Sequence, residues 1–81
     1  MLTAKQLEQL AEIFRTLFNA PDLEIKDTLT AKDVPEWDSF NHINLIINIE
    51  EEFEIRFTNE EVSSMERVGD LKKLLAIKLS E

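Results

Sequence analysis

The sequence predicts an all-α fold: four helices, a long loop between the first and second, and a short third helix. Three observations lead there. Apolar residues recur at helical spacing through most of the chain. Two hydroxyl caps, Thr3 and Thr58, each precede a Gln or Glu by three residues, the pattern of a capping box. Alternation of apolar and polar residues outside these stretches is confined to pieces such as Ile55-Arg56-Phe57, too short to build a sheet.

The first helix is predicted over residues 3–19. Apolar positions 7, 10, 11, 14, 17 and 18 form its stripe, Thr3 with Gln6 opens it, and Pro21 stops it. Residues 20–37 hold both prolines and no sustained period, so they form a loop pinned by Leu23, Ile25, Leu29 and Val34. A loop of that length in a small domain is often functional. The second helix runs over 39–53. On a helical wheel Phe40, Ile43, Leu45, Ile46, Ile47, Ile49 and Phe53 spread over roughly 220°. One packed face needs a stripe only a little wider than ~100°. The surplus faces a ligand or partner, or else the bundle wraps this helix on two sides. Residues 55–57 are a short extended link, and Thr58 with Glu61 opens a third helix ending near Ser64. Val68, Leu71, Leu74, Leu75 and Leu79 are the stripe of the last helix.

A chain of 81 residues makes one domain, 1–81, with one modest core. It has no cysteine, which leaves no disulfide or thiolate metal site and suits the cytoplasm. No run is long enough to span a membrane, and the N-terminal residues lack the basic-then-apolar order of a signal peptide. Ten of the seventeen acids but one of the nine bases fall within residues 33–66, so that stretch carries −9 and the remainder +1. Such a field disfavours nucleic acid and anionic membrane and steers toward basic protein surfaces; equally, it keeps a small monomer soluble.

Catalytic machinery is hard to assemble. His42 is the only histidine, without the spacing of a metal-binding helix, and its place on the wheel suits a half-buried structural role. Glu50, Glu51, Glu52 and Glu54 lack the glycine-hinged loop of a calcium site. Ser39 and His42 are three apart on one helix, but no oxyanion hole is evident and the chain is too short to enclose a substrate. The turn Pro35-Glu36-Trp37-Asp38-Ser39-Phe40 stands out. Asp38 is a suitable N-cap, which puts the Ser39 hydroxyl at the first helical position, in the field of the helix dipole, where a phosphodiester is favoured.

Asp38-Ser39-Phe40, Ile43, Leu45-Ile46-Ile47, Ile49-Glu50-Glu51-Glu52-Phe53 and Ile55 together resemble the acyl carrier protein family. The likeness continues through Thr58-Asn59-Glu60-Glu61 and Val68-Gly69-Asp70-Leu71 and covers most of the chain. The resemblance implies a four-helix carrier, not an enzyme. A phosphopantetheinyl transferase would attach 4'-phosphopantetheine from coenzyme A to Ser39, supplying the metal and base itself. The arm's thiol would hold acyl intermediates as thioesters for loading and processing enzymes with basic docking patches. Asp38, Phe40, Ile43, Ile47 and Glu50 would form part of the docking face.

Phe40 replaces the family's usual Leu, Glu36 stands where many carriers have Gly, and Asn41 and Asn44 stand where fatty-acid carriers often have acids. These departures favour a specialised acyl, aminoacyl or polyketide pathway over general fatty-acid synthesis. A third reading, from another class, is a carrier-like adaptor that is never loaded. Trp37, directly before Asp38-Ser39, either shelters the start of the arm, anchors a partner, or seals the long loop onto the bundle.

Overall fold

The computed structural model describes residues 2–80; residues 1 and 81, the ends of the expected domain, lie outside that range. Its helices are α1 (Ala4–Leu17), α2 (Ser39–Phe53), α3 (Asn59–Ser63) and α4 (Val68–Ser80), and no strand occurs among the described residues. Both capping boxes form as the sequence predicts: the Thr3 hydroxyl accepts from the Gln6 amide, and Thr58 from the Glu61 amide, each at 3.1 Å.

α1 ends two residues before the expected Asn19. Asn19 turns left-handed at φ 50°, a conformation asparagine tolerates better than most residues. The Ala20 N–H then reaches back to the Arg15 carbonyl at 2.9 Å and the Asn19 N–H to Thr16 at 3.4 Å, the Schellman closure. Phe18 thus keeps its place in the apolar stripe although it is already the cap. Leu7 departs from expectation in the other direction. Its angle matches the buried stripe, but its height, in the first turn, leaves it 38% exposed.

One core unites all of this: Leu10, Phe14 and Phe18 of α1 and its cap, Leu45, Ile46 and Ile49 of α2, Val68, Leu71 and Leu75 of α4, and Val34 and Trp37 from the loop. α3 contributes no fully buried residue and packs Val62 against its edge. Burial of this apolar set drives the fold, while the loop over 18–38 is held by polar ties. Arg15 donates from Nε to the Leu23 carbonyl at 3.0 Å, and Lys72 from Nζ to the Ile25 carbonyl at 2.7 Å and Asp27 at 3.0 Å. The backbone N–H groups of Val68 and Gly69 donate to Leu29 and Asp27, both at 2.9 Å. Gly69 allows that approach, since a Cβ there would sit 3.1 Å from the Asp27 oxygen. No helix among the described residues is long and apolar enough to cross a membrane.

Candidate functional site

The loop enters α2 through a tight turn. The Trp37 N–H donates to the Val34 carbonyl at 2.9 Å, with Pro35 in the turn position that its fixed φ favours. This points Trp37 inward, 7% exposed, with its ring edge-on to Phe14 at 5.5 Å and tilted over Phe18 at 5.9 Å. The structure therefore gives Trp37 the loop-sealing position.

Asp38 caps α2 as expected, its Oδ1 accepting from the Asn41 N–H at 2.8 Å. Asn41 in turn donates from Nδ2 to the Glu36 carbonyl at 2.6 Å, and Asn44 to the Asn41 side chain at 3.4 Å. The neutral residues standing where acids were the comparison thus brace the turn. Ser39 follows the cap with its side chain exposed. The Ser39 and Phe40 amides have no partner among the described residues, which leaves donors beside the hydroxyl at the positive end of a 15-residue helix.

His42 does not activate Ser39. Its Nδ1 accepts from the Trp37 indole N–H at 3.1 Å, and its Nε2 lies 3.4 Å from the Val62 carbonyl oxygen. The ring proton therefore belongs on Nε2, directed at α3, and both nitrogens are committed to structure. Sequence reasoning found His42 and Trp37 singly and missed that they are a pair. An open cleft of about 520 Å³ beside Ser39 is lined by Trp37, Asp38 and His42 on one side and Val62, Ser63 and Met65 on the other.

Down the outer face of α2 run Phe40, Ile43 and Ile47, 73%, 58% and 45% exposed. The bundle does not wrap α2 on two sides; the surplus apolar arc is a solvent-facing strip headed by Ser39. At its far end Ile47 shares a second open cleft with Glu50, Glu51 and Glu54. Glu50 also has a structural task, its Oε2 accepting from the Phe57 N–H at 2.8 Å and so holding the link to α3 against α2. That bond was not legible beforehand. α3 is further tied by Lys78 to Glu61 at 3.0 Å. The Thr58 N–H, with the Lys78 ammonium helping, holds the Glu61 carboxyl below its ordinary value. Among the described residues, no three His, Cys, Asp or Glu side chains converge on a metal site.

The described residues thus form four helices, with Ser39 exposed at the start of the second and an apolar strip leading down its outer face. No family model and no curated protein matches the sequence. Among solved structures, the chain is similar to the holo acyl carrier protein from Geobacter metallireducens determined by solution NMR: TM-score 0.86 and 35% identity, covering 91% of this chain and 85% of that one. The chain belongs to the acyl carrier protein family.

Proposed function

We propose that residues 1–81 act as a carrier domain whose Ser39 Oγ bears 4'-phosphopantetheine, attached from coenzyme A by a phosphopantetheinyl transferase. The observation that carries this reading is the exposed Ser39 hydroxyl one residue past the Asp38 cap, at the head of the strip Phe40, Ile43 and Ile47. The residues fit the group. The unpartnered Ser39 and Phe40 amides and the helix dipole favour a phosphodiester at that oxygen. Asp38 is held to Asn41, so its carboxylate stays at the turn, where a basic enzyme would meet it. When attached, the arm supplies the thiol that this cysteine-free chain lacks and holds acyl groups as thioesters.

The other residues serve recognition. Phe40, Ile43 and Ile47 give a partner apolar surface, while Asp38 and Glu50 mark the ends of the strip with negative charge. Basic docking patches on the transferase and on acyl-loading and acyl-processing enzymes complement that pattern. The acidic field disfavours nucleic acid, and a cytoplasmic monomer is the state in which such a carrier would work. Asn41 and Asn44, engaged in bracing the turn rather than presenting acids, favour a specialised pathway over general fatty-acid synthesis.

Incubation with coenzyme A and a broad-specificity transferase tests the reading by intact mass. The wild type gains one arm, and Ser39→Ala gains none while melting like the wild type, since exposed substitutions stay within about 0.5 kcal/mol. Peptide mapping that finds the arm on Ser63, Ser64 or Ser80 would overturn the assignment.

A further inference from the structure

The open cleft beside Ser39 lies between α2 and α3, with Trp37, His42, Val62 and Met65 among its lining residues. Two aromatic rings stand across it. Trp37 is packed on Phe14 and Phe18 on its inner side and stacked on the His42 ring at 6.1 Å on its outer side. The indole N–H, His42 Nδ1, His42 Nε2 and the Val62 carbonyl form one chain of polar contacts that runs from the loop through α2 to α3. The Lys78–Glu61 pair, both side chains mostly covered, holds α3 from its other side, so α3 is tied across both of its seams.

We infer that this Trp37–His42–Val62 chain is a latch that fixes the class of cargo. It keeps the α2–α3 seam shut, so the carrier holds short acyl groups in the outer cleft and does not draw long alkyl chains into its interior. This rests on the reading that Ser39 bears the arm. The physical reason is a balance between two terms. A long chain gains from leaving water in proportion to its length. To enter here it must displace His42 or Trp37, which breaks the indole–imidazole hydrogen bond, and it must open a core packed to crystal-like density. A short chain has little apolar surface to bury and so nothing to offset those losses. The cleft outside the latch, bordered by Asp38, Ser63 and Glu66 as well as Val62 and Met65, accepts a small group, polar or apolar, without any rearrangement.

The test loads Ser39 by transferase from acetyl- and octanoyl-coenzyme A and compares thermal midpoints and the emission of Trp37, the only tryptophan. In the wild type the two loaded forms are expected to melt within about 2 °C of each other with the same spectrum. His42→Ala breaks the latch without emptying the core, and its octanoyl form is expected to melt at least about 4 °C above its acetyl form, as even modest added burial does in a domain this small. Should that variant not fold, Trp37→Phe keeps the core filled and removes the indole N–H. An octanoyl wild type that melts about 4 °C or more above the acetyl form, with a shifted Trp37 emission, overturns the latch. So does a latch-broken variant that is as indifferent to chain length as the wild type. Unchanged intact mass on loading overturns the Ser39 reading and this inference with it, whereas chain-length dependence in fully loaded wild type overturns the latch alone.

Discussion

Replacing Trp37 with alanine removes a side chain that is 7% exposed and touches Phe14, Phe18 and His42 at once. Truncation of a buried aromatic costs about 3–5 kcal/mol, set by how far the surroundings collapse into the space. The lost indole donor leaves His42 Nδ1 without its partner, which adds about 1 kcal/mol. In a domain of this size each kcal/mol moves the midpoint by about 4–8 °C, so Trp37→Ala should melt at least about 16 °C below the wild type. Trp37→Phe refills most of the volume and loses only the donor, so its fall should be about a quarter as large. Little of Trp37 reaches the surface, so a docking enzyme has almost nothing to grip. The folded fraction of either variant should therefore take up the arm at the wild-type rate. Thermal melts paired with loading rates normalised to folded protein make the measurement. A midpoint that falls by less than about 4 °C while loading slows severalfold would refute the sealing role and make Trp37 a docking anchor.

Ile43→Asp, at a position 58% exposed, should leave stability within about 0.5 kcal/mol and slow transferase loading about tenfold or more, as loss of an apolar hot spot does. Loading at the wild-type rate would remove the strip from the docking face. Gly69→Ala should lower stability by about 1 kcal/mol despite alanine's better helix propensity. The new Cβ meets the Asp27 carbonyl at 3.1 Å; that carbonyl accepts from the Gly69 N–H, and Lys72 holds the same segment through the Ile25 carbonyl and the Asp27 carboxylate; a higher midpoint would show that the loop yields. The Glu61 carboxyl is held below its ordinary value near 4.5, so its contribution is complete above that value and is lost as pH falls below it through the lowered folded-state value. Glu61→Gln keeps an oxygen for the Thr58 N–H but loses the charge facing Lys78. It should melt below the wild type near neutral pH, and the gap should close in acid; a gap independent of pH would assign the loss to the cap alone.

α2 was legible almost to the residue because its signals are local: Asp38 caps it, and its apolar period stops at Phe53, where Glu54 turns left-handed at φ 55°. The width of that apolar arc left two outcomes open, an exposed strip or a helix packed on two sides, since no single packed face absorbs about 220°. The end of α1 was not legible, because Phe18 continues the helical period into a residue that serves as the cap. The ties on the long loop were hidden for a different reason. Lys72 bonds the Ile25 carbonyl from 47 positions away, and any residue presents a carbonyl, so no side-chain pattern marks the acceptor. The same limit concealed the structural task of Glu50, whose carboxylate accepts from the Phe57 N–H. Trp37 and His42 straddle a cap, so neither a helical nor an alternating period links them.

These hidden bonds explain how so small a bundle can leave a helix face bare. The Arg15, Lys72 and Gly69 ties hold the loop onto α1 and α4, remote in sequence from the α2 strip. α2 itself is fixed from within by Leu45, Ile46 and Ile49 and at its ends by Asp38 and Glu50, so Phe40, Ile43 and Ile47 are not needed to hold the fold. Their exposure costs stability that a domain of this size has little of to spare. A partner that covers the strip recovers the buried area only while it is bound, which gives moderate affinity and ready release, and the surrounding −9 stretch raises the rate of encounter with a basic surface. Fast arrival and easy departure are what a shuttle among several enzymes requires. Moving the apolar strip into the core would make a more stable protein and remove the surface proposed for docking.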